Sequence, residues 1–260
     1  MRKQDELLDF SHGSWGEDRI FAGQALSFVI DGATPISDVP FEGYHTGAEW
    51  MAQQLGRYLA ENDGEIPALC KEFTEKTKCL LQAEFQDVQS MPCAVLAAVR
   101  KTDDHILGDL LGDCAVYLLK NDGTVARYSD QRTASFYEKT LQAKHQAQSQ
   151  GLDVQEAIRR QRRKNKEAMN QPGGYWTVSY IGDFEKEFCS FRVPVEEIRG
   201  ILLCSDGFDR AFARNLLTPA DILEEKVTLR DALALLRAAE KQETEDVKMH
   251  DDASAILLFV

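Results

Sequence analysis

The six cysteines (Cys70, Cys79, Cys93, Cys114, Cys189 and Cys204) form no Cys-x-x-Cys pair, and most lie within apolar runs. That argues against a thiolate zinc site and against a disulfide framework. No apolar run is long enough to span a bilayer, and Met1-Arg2-Lys3-Gln4-Asp5-Glu6 lacks the apolar core of a signal peptide. The expectation is a reduced, cytoplasmic protein with no membrane partner. Positive charge is also scarce: 30 Lys and Arg face 43 Asp and Glu, a formal net charge of -13. Nucleic acid as the main partner needs a basic face, so this balance argues against it. There is no nucleophile-elbow serine, no His-rich metal motif and no phosphate-loop lysine, which turns the reading away from covalent catalysis.

What is present begins with Ser27-Phe28-Val29-Ile30-Asp31-Gly32-Ala33-Thr34-Pro35. A short apolar run bounded by turn residues reads as a buried strand. It delivers a carboxylate and a glycine carbonyl to its open end. A capping aspartate would explain Asp31 alone. A buried carboxylate otherwise calls for a cation or a proton.

Two helices follow, from apolar positions at steps of three and four: Ala48, Met51, Leu55 and Leu59, then Ile66, Leu69, Phe73 and Leu80, with Asn62-Asp63-Gly64 as the break. Strand-like runs come next at 93–99, 105–112, 115–119 and 124–128, with Asn121-Asp122-Gly123 as a hairpin turn. Tight turns between successive strands require antiparallel pairing. Residues 132–171 read as helical and carry the basic run 159–166. That run is either a solvated helix face or a flap attracting anionic substrates. Strands are expected at 175–181, 188–193, 201–204 and 253–260, and helices near 218–225 and 228–241. Interleaved strand-rich and helix-rich runs suit sheets sandwiched between helices in one domain over 1–260.

The acids share a grammar. Asp31, Asp113 and Asp206 each end an apolar run and each has a glycine beside it: Gly32, Gly112 and Gly207. Glu17-Asp18 and Asp251-Asp252 add two pairs. Hard divalent cations prefer carboxylate, carbonyl and water oxygens, and a pair of them makes a clamp for displacement at phosphorus. Without a cation, two like charges at 4 Å cost roughly 4 kcal/mol at an effective dielectric of about 20.

The ordered series Glu17-Asp18-Arg19, Asp31-Gly32, Gly112-Asp113, Ser205-Asp206-Gly207 and Asp251-Asp252 resembles the metal-dependent protein phosphatases, the type 2C serine/threonine phosphatases. The resemblance runs from about residue 8 to the last residue. It implies an α+β fold, a four-layer α-β-β-α sandwich of two antiparallel sheets flanked by helices, with a variable flap at about 130–180. It also implies two Mn²⁺ or Mg²⁺ ions, with a metal-bridging hydroxide attacking a phosphoserine or phosphothreonine of a protein substrate. Asp31 bridges the ions in this pattern, and the Gly32 carbonyl binds one of them. Asp206 and Asp251 ligate the other; Glu17 and Asp18 act through waters. Asp113 offers a third ion position, and Asp252 supports from behind.

Two positions depart from the family's pattern. Ala33 stands where many relatives carry a proton-donating histidine, and Gly13 where many carry a phosphate-binding arginine. His12, Arg19, His45 and the basic run are the candidate substitutes, with His12 and Arg19 as substrate-binding candidates. Two other functions stay open on these grounds. One is a catalytically silent module that binds a phosphorylated or regulatory partner; the other is a metal-dependent hydrolase of small phosphoesters.

Overall fold

The computed structural model describes residues 1–33, 40–242 and 250–260; the Thr34-Pro35 turn lies outside them. The strands are β1 (Arg2–Asp9), β2 (Asp18–Ala22), β3 (Leu26–Ala33), β4 (Cys93–Lys101), β5 (His105–Leu111), β6 (Ala115–Lys120), β7 (Val125–Ser129), β8 (Cys189–Pro194), β9 (Ile198–Cys204) and β10 (Ala253–Phe259). One sheet has the order β1-β10-β9-β6-β7 and the other β2-β3-β4-β5-β8. Neighbouring strands run antiparallel throughout.

The long apolar run in β4 follows from burial on both faces. Val95, Ala97 and Val99 enter the core between the sheets, with Val29, Val116, Leu203 and Ile256. Leu96 and Ala98 point the other way, with Phe28 and Ile30, onto α1 (Gly47–Glu61) and α2 (Ile66–Glu84) through Met51, Leu55 and Phe73. The second sheet's outer layer is built likewise. Leu202, Ala255 and Leu257 pack on α5 (Asp206–Ala213), α6 (Pro219–Leu223) and α7 (Leu229–Glu240) through Phe208, Ile222 and Ala232. These cores make the four layers, and the fold is the α+β sandwich expected.

Between β7 and β8 the chain leaves the sandwich as a helical hairpin, α3 (Ala134–Gln150) and α4 (Val154–Glu167). Gly151, at φ +65°, ends α3, and Asp153 caps α4 by accepting from the Glu156 amide at 3.0 Å. Asn165 Nδ2 ties α4 to α3, donating to Phe136 O and Thr140 Oγ1, each at 2.9 Å.

The strand expected at 175–181 does not form. That stretch makes isolated bridges only, Tyr175 to Met169 and Val178 to Ala94. Several of its polar groups are taken up by one side chain instead. Asn170 Nδ2 donates to Thr177 O, Ser179 Oγ and Ile181 O, and its Oδ1 accepts from Thr177 N at 2.8 Å. The reverse case is β1, an unexpected edge strand whose polar sequence RKQDELLD faces largely outward and pairs only with β10. Charge on an edge strand discourages pairing with other chains, and it hides the strand from an apolar-run reading.

Candidate functional site

Asp18 of β2 lies opposite Asp31 of β3 in the ladder, so both side chains leave the same face. That face looks toward the other sheet, since Ile20 and Val29, two residues along, belong to the core between the sheets. β10 meets them from the other side. Ser254 Oγ donates to Asp18 Oδ2 at 2.7 Å. Asp252 Oδ2 accepts from Glu17 N at 2.6 Å, and its Oδ1 accepts from both Ser11 N and Ser11 Oγ at 2.7 Å. Asp252 therefore pins the 11–17 loop to the site.

The ends of β9 and β10 are locked to one another. Ser205 N donates to Ser254 O and Ser254 N donates to Ser205 Oγ, each at 3.0 Å. The lock sets the start of α5, whose first residue is Asp206. Asp113 follows β5 after Gly112, which takes φ +85°. Thr46, the cap of α1, donates its hydroxyl to Glu17 Oε1 at 2.6 Å.

Electrostatics show how closely these acids gather. Burial pushes the Asp18 carboxyl up to about 8; the Ser254 hydrogen bond opposes the shift, and Asp252 and Asp251 add to it. Burial and then Asp206, with Asp251 and Asp130 behind, push Asp113 up to about 7. The Cys114 thiol is raised by burial, then by Asp31, Asp113, Asp18 and Asp206, so four carboxylates bear on one buried sulfur. A cleft of about 430 Å³ opens beside them, lined by Asp113, Asp206 and Asp251 with Tyr137, Arg127 and Arg162. A second, of about 590 Å³, shares Asp113, Tyr137 and Arg162 and is lined also by His12 and Ala33.

Among the described residues no three His, Cys, Asp or Glu side chains converge into a ready metal shell. The acids read from the sequence are gathered at one end of the sheets but not closed around a point. Their chemistry still fits a hard cation. All the candidate donors are oxygens, and Asp18 Oδ1 is buried without a hydrogen-bond partner. Such cations keep several waters, which complete an open set of this kind.

The glycines beside the acids serve chain packing. A Cβ on Gly207 would overlap the Asp252 carbonyl, one on Gly112 would overlap Val95, and one on Gly32 would lie 2.7 Å from Ala48 O. Gly207→Ala is expected to cost about 1–3 kcal/mol as an overpacking change, read as a lower urea midpoint at unchanged slope.

Gly13 occupies a tight turn at φ +78°, with its amide on Phe10 O at 3.0 Å. A side chain there would be strained, and the neighbouring imidazole is presented instead. His12 stacks on Trp15 (ring centroids 4.2 Å apart), which stacks on His45 (4.5 Å). Arg19 is engaged locally: its guanidinium donates to Gly16 O, Asp18 O and Gln53 Oε1 and pairs with Glu49 at 3.4 Å. The sequence offered the basic run as a whole. The structure singles out Arg162, exposed on α4 and lining both clefts. Its spacing from the acids in the chain carried no signal of this.

The sequence matches the model of a family described as Protein phosphatase 2C over residues 9–243. No curated protein matches it by sequence. Among solved structures, the serine/threonine phosphatase Stp1 from Staphylococcus aureus is similar at 16% identity, covering 100% of this chain and 95% of its own, with a TM-score of 0.58. PppA, a key regulatory component of T6SS in Pseudomonas aeruginosa, is similar at 12%, with 99% and 97% covered and a TM-score of 0.60. The catalytic domain of the serine/threonine phosphatase PstP, in complex with two manganese ions, is similar at 15%, with 97% and 95% covered and a TM-score of 0.55. At these identities the likeness speaks for the fold. The family match spans the strands and loops that carry Glu17 through Asp206, and with it the chain belongs to the protein phosphatase 2C family.

Proposed function

We propose that the protein is a divalent-metal-dependent phosphatase acting on phosphoserine and phosphothreonine in proteins. The observation that carries this is the buried, partnerless Asp18 Oδ1 amid acids that hold protons up to about pH 7–8 when no cation offsets them. Asp31, the Gly32 carbonyl, Asp206 and Asp251 would hold two Mn²⁺ or Mg²⁺ ions. Asp113 would offer a third position, and Glu17 and Asp18 would act through waters. The manganese in PstP supports this choice. Bound cations supply Lewis acidity there: they acidify water and offset phosphate charge.

The chain's own residues do the rest. Asp252 holds the 11–17 loop so that His12 borders the cleft containing Ala33; His250 lines the same cleft, and of the two imidazoles His12 is assigned the protonation of the leaving oxygen. Arg162 takes the role of the arginine missing at Gly13, meeting phosphate oxygens from above the acids. The α3–α4 hairpin is then the substrate flap. Gly13 and Ala33 favour a second reading, a silent phosphatase-like binder, and a metal-dependent hydrolase of small phosphoesters is a third.

Mn²⁺ at a hundredfold excess over its Kd is expected to stabilise the fold by about 2.7 kcal/mol, read as a rise in melting temperature. A phosphopeptide should be hydrolysed in the same buffer. Stabilisation without turnover of any phosphoester selects the binder. Turnover confined to small phosphoesters selects the third reading. The absence of both stabilisation and turnover overturns the metal site.

A further inference from the structure

We propose that the outer face of α4 is a docking strip for acidic residues flanking the phosphorylated one. The substrates are then phosphoproteins whose phosphoserine or phosphothreonine lies in acidic or multiply phosphorylated sequence. This rests on the phosphatase reading above.

The helix carries six cations, Arg159, Arg160, Arg162, Arg163, Lys164 and Lys166, against two acids, in a protein of net charge -13. All but Lys166 are exposed. Only Arg159 is held in an ion pair among the described residues, with Glu156 at 3.0 Å. Arg160, Arg163 and Lys164 thus present charge that no described side chain neutralises. The helix is anchored on its other side by buried Ile158, by Asn165 on α3, and by Lys166, whose Nζ donates to Cys93 Sγ at 3.1 Å. A fixed helix holds its cations in place before a ligand arrives, which lowers the ordering cost of binding.

Position gives the strip its purpose. Arg162 reaches both clefts beside Asp113, and at about 100° per residue the exposed cations step from it around the helix through Arg159, Arg163, Arg160 and Lys164, so the basic surface begins where the scissile phosphate would lie. The other arginines extend it along roughly 6–7 Å of helix axis, about two residues of an extended peptide, and their own length adds reach. An acidic segment would otherwise be repelled by the surrounding protein; here it meets a local field of opposite sign. A nucleic acid would bring its phosphate backbone against the rest of a protein of net charge -13, whereas a short acidic peptide need meet only this helix, so the acidic peptide is the better fit.

The test uses the full chain with Mn²⁺ and matched phosphoserine peptides carrying acidic, neutral or basic flanks. Expected is a kcat/KM for the acidic peptide about tenfold or more above the neutral one at low salt, shrinking as salt rises. The R160Q/R163Q/K164Q variant should bring that ratio close to one with the melting temperature kept. A ratio near one in the unaltered protein, or a preference untouched in the variant, overturns the inference. If no peptide or aryl phosphate is turned over, the phosphatase reading fails instead. Fluorescence anisotropy with the labelled acidic phosphopeptide then decides the docking: binding lost in the variant supports it, and no binding overturns it. An oligonucleotide of equal charge bound as tightly as the peptide also overturns it.

Discussion

Asp206→Ala, and separately Asp31→Ala, should cut phosphopeptide turnover by about a thousandfold or more and leave the sandwich folded. The size follows from losing roughly 4 kcal/mol of charge stabilisation, since each 1.36 kcal/mol is tenfold in rate. Stability should move the opposite way from a core lesion. Asp206 is only half-buried, and its charge helps raise Asp113. Its removal relieves repulsion, so without divalent ions the Asp206→Ala protein should melt no lower than the unaltered one. Its response to Mn²⁺ should shrink sharply. Activity assays and thermal melts with and without Mn²⁺ check both halves. Full turnover in either variant would remove that carboxylate from the chemistry.

Without divalent cations the protein should lose stability as pH rises from about 5 to about 8. Asp18 is raised by burial to about 8 in the fold, against about 3.9 in an unfolded chain. Between those values the folded state binds more protons than the unfolded one. Stability therefore falls with pH, by at most about 1.4 kcal/mol per pH unit for this group. Below the unfolded value both states are protonated and the penalty vanishes. Asp113, raised to about 7, adds to the slope in the lower part of the window. Asp18→Asn keeps an acceptor for Ser254 without the charge and should flatten most of the fall. Mn²⁺ should flatten it as well, because a bound cation replaces the proton. Urea midpoints across this range, with chelator or with Mn²⁺, test the sign; a slope that rises with pH in chelator would refute it.

The layers were legible in the sequence wherever burial wrote a pattern. β4 is covered on both faces and reads as an unbroken apolar run, while α1 shows its buried stripe at steps of three and four. β1 escaped because an edge strand with one partner needs little apolar surface. The stretch 175–181 misled in the other direction: its residues favour strands, but Asn170 captures the backbone groups a ladder would use.

The site was legible as an order of acids and less so as geometry. The glycines beside the acids do have close neighbours, and these are backbone and side chains of the protein itself. Asp252 was expected to support the site from behind, whereas the part of Ser254 was harder to foresee, because it depends on two sheets meeting. Arg162 was hidden among its basic neighbours, since only the crossing of α4 over the clefts distinguishes it.

Ser254 lies in one sheet and Asp18 in the other, and no ladder joins their strands. Whatever titrates or occupies Asp18 thereby governs how firmly the two halves of the sandwich grip at that end. Amide protection along β2 and β10 should therefore rise and fall together with the ionic state of that one carboxyl, at the end of the sandwich where it sits.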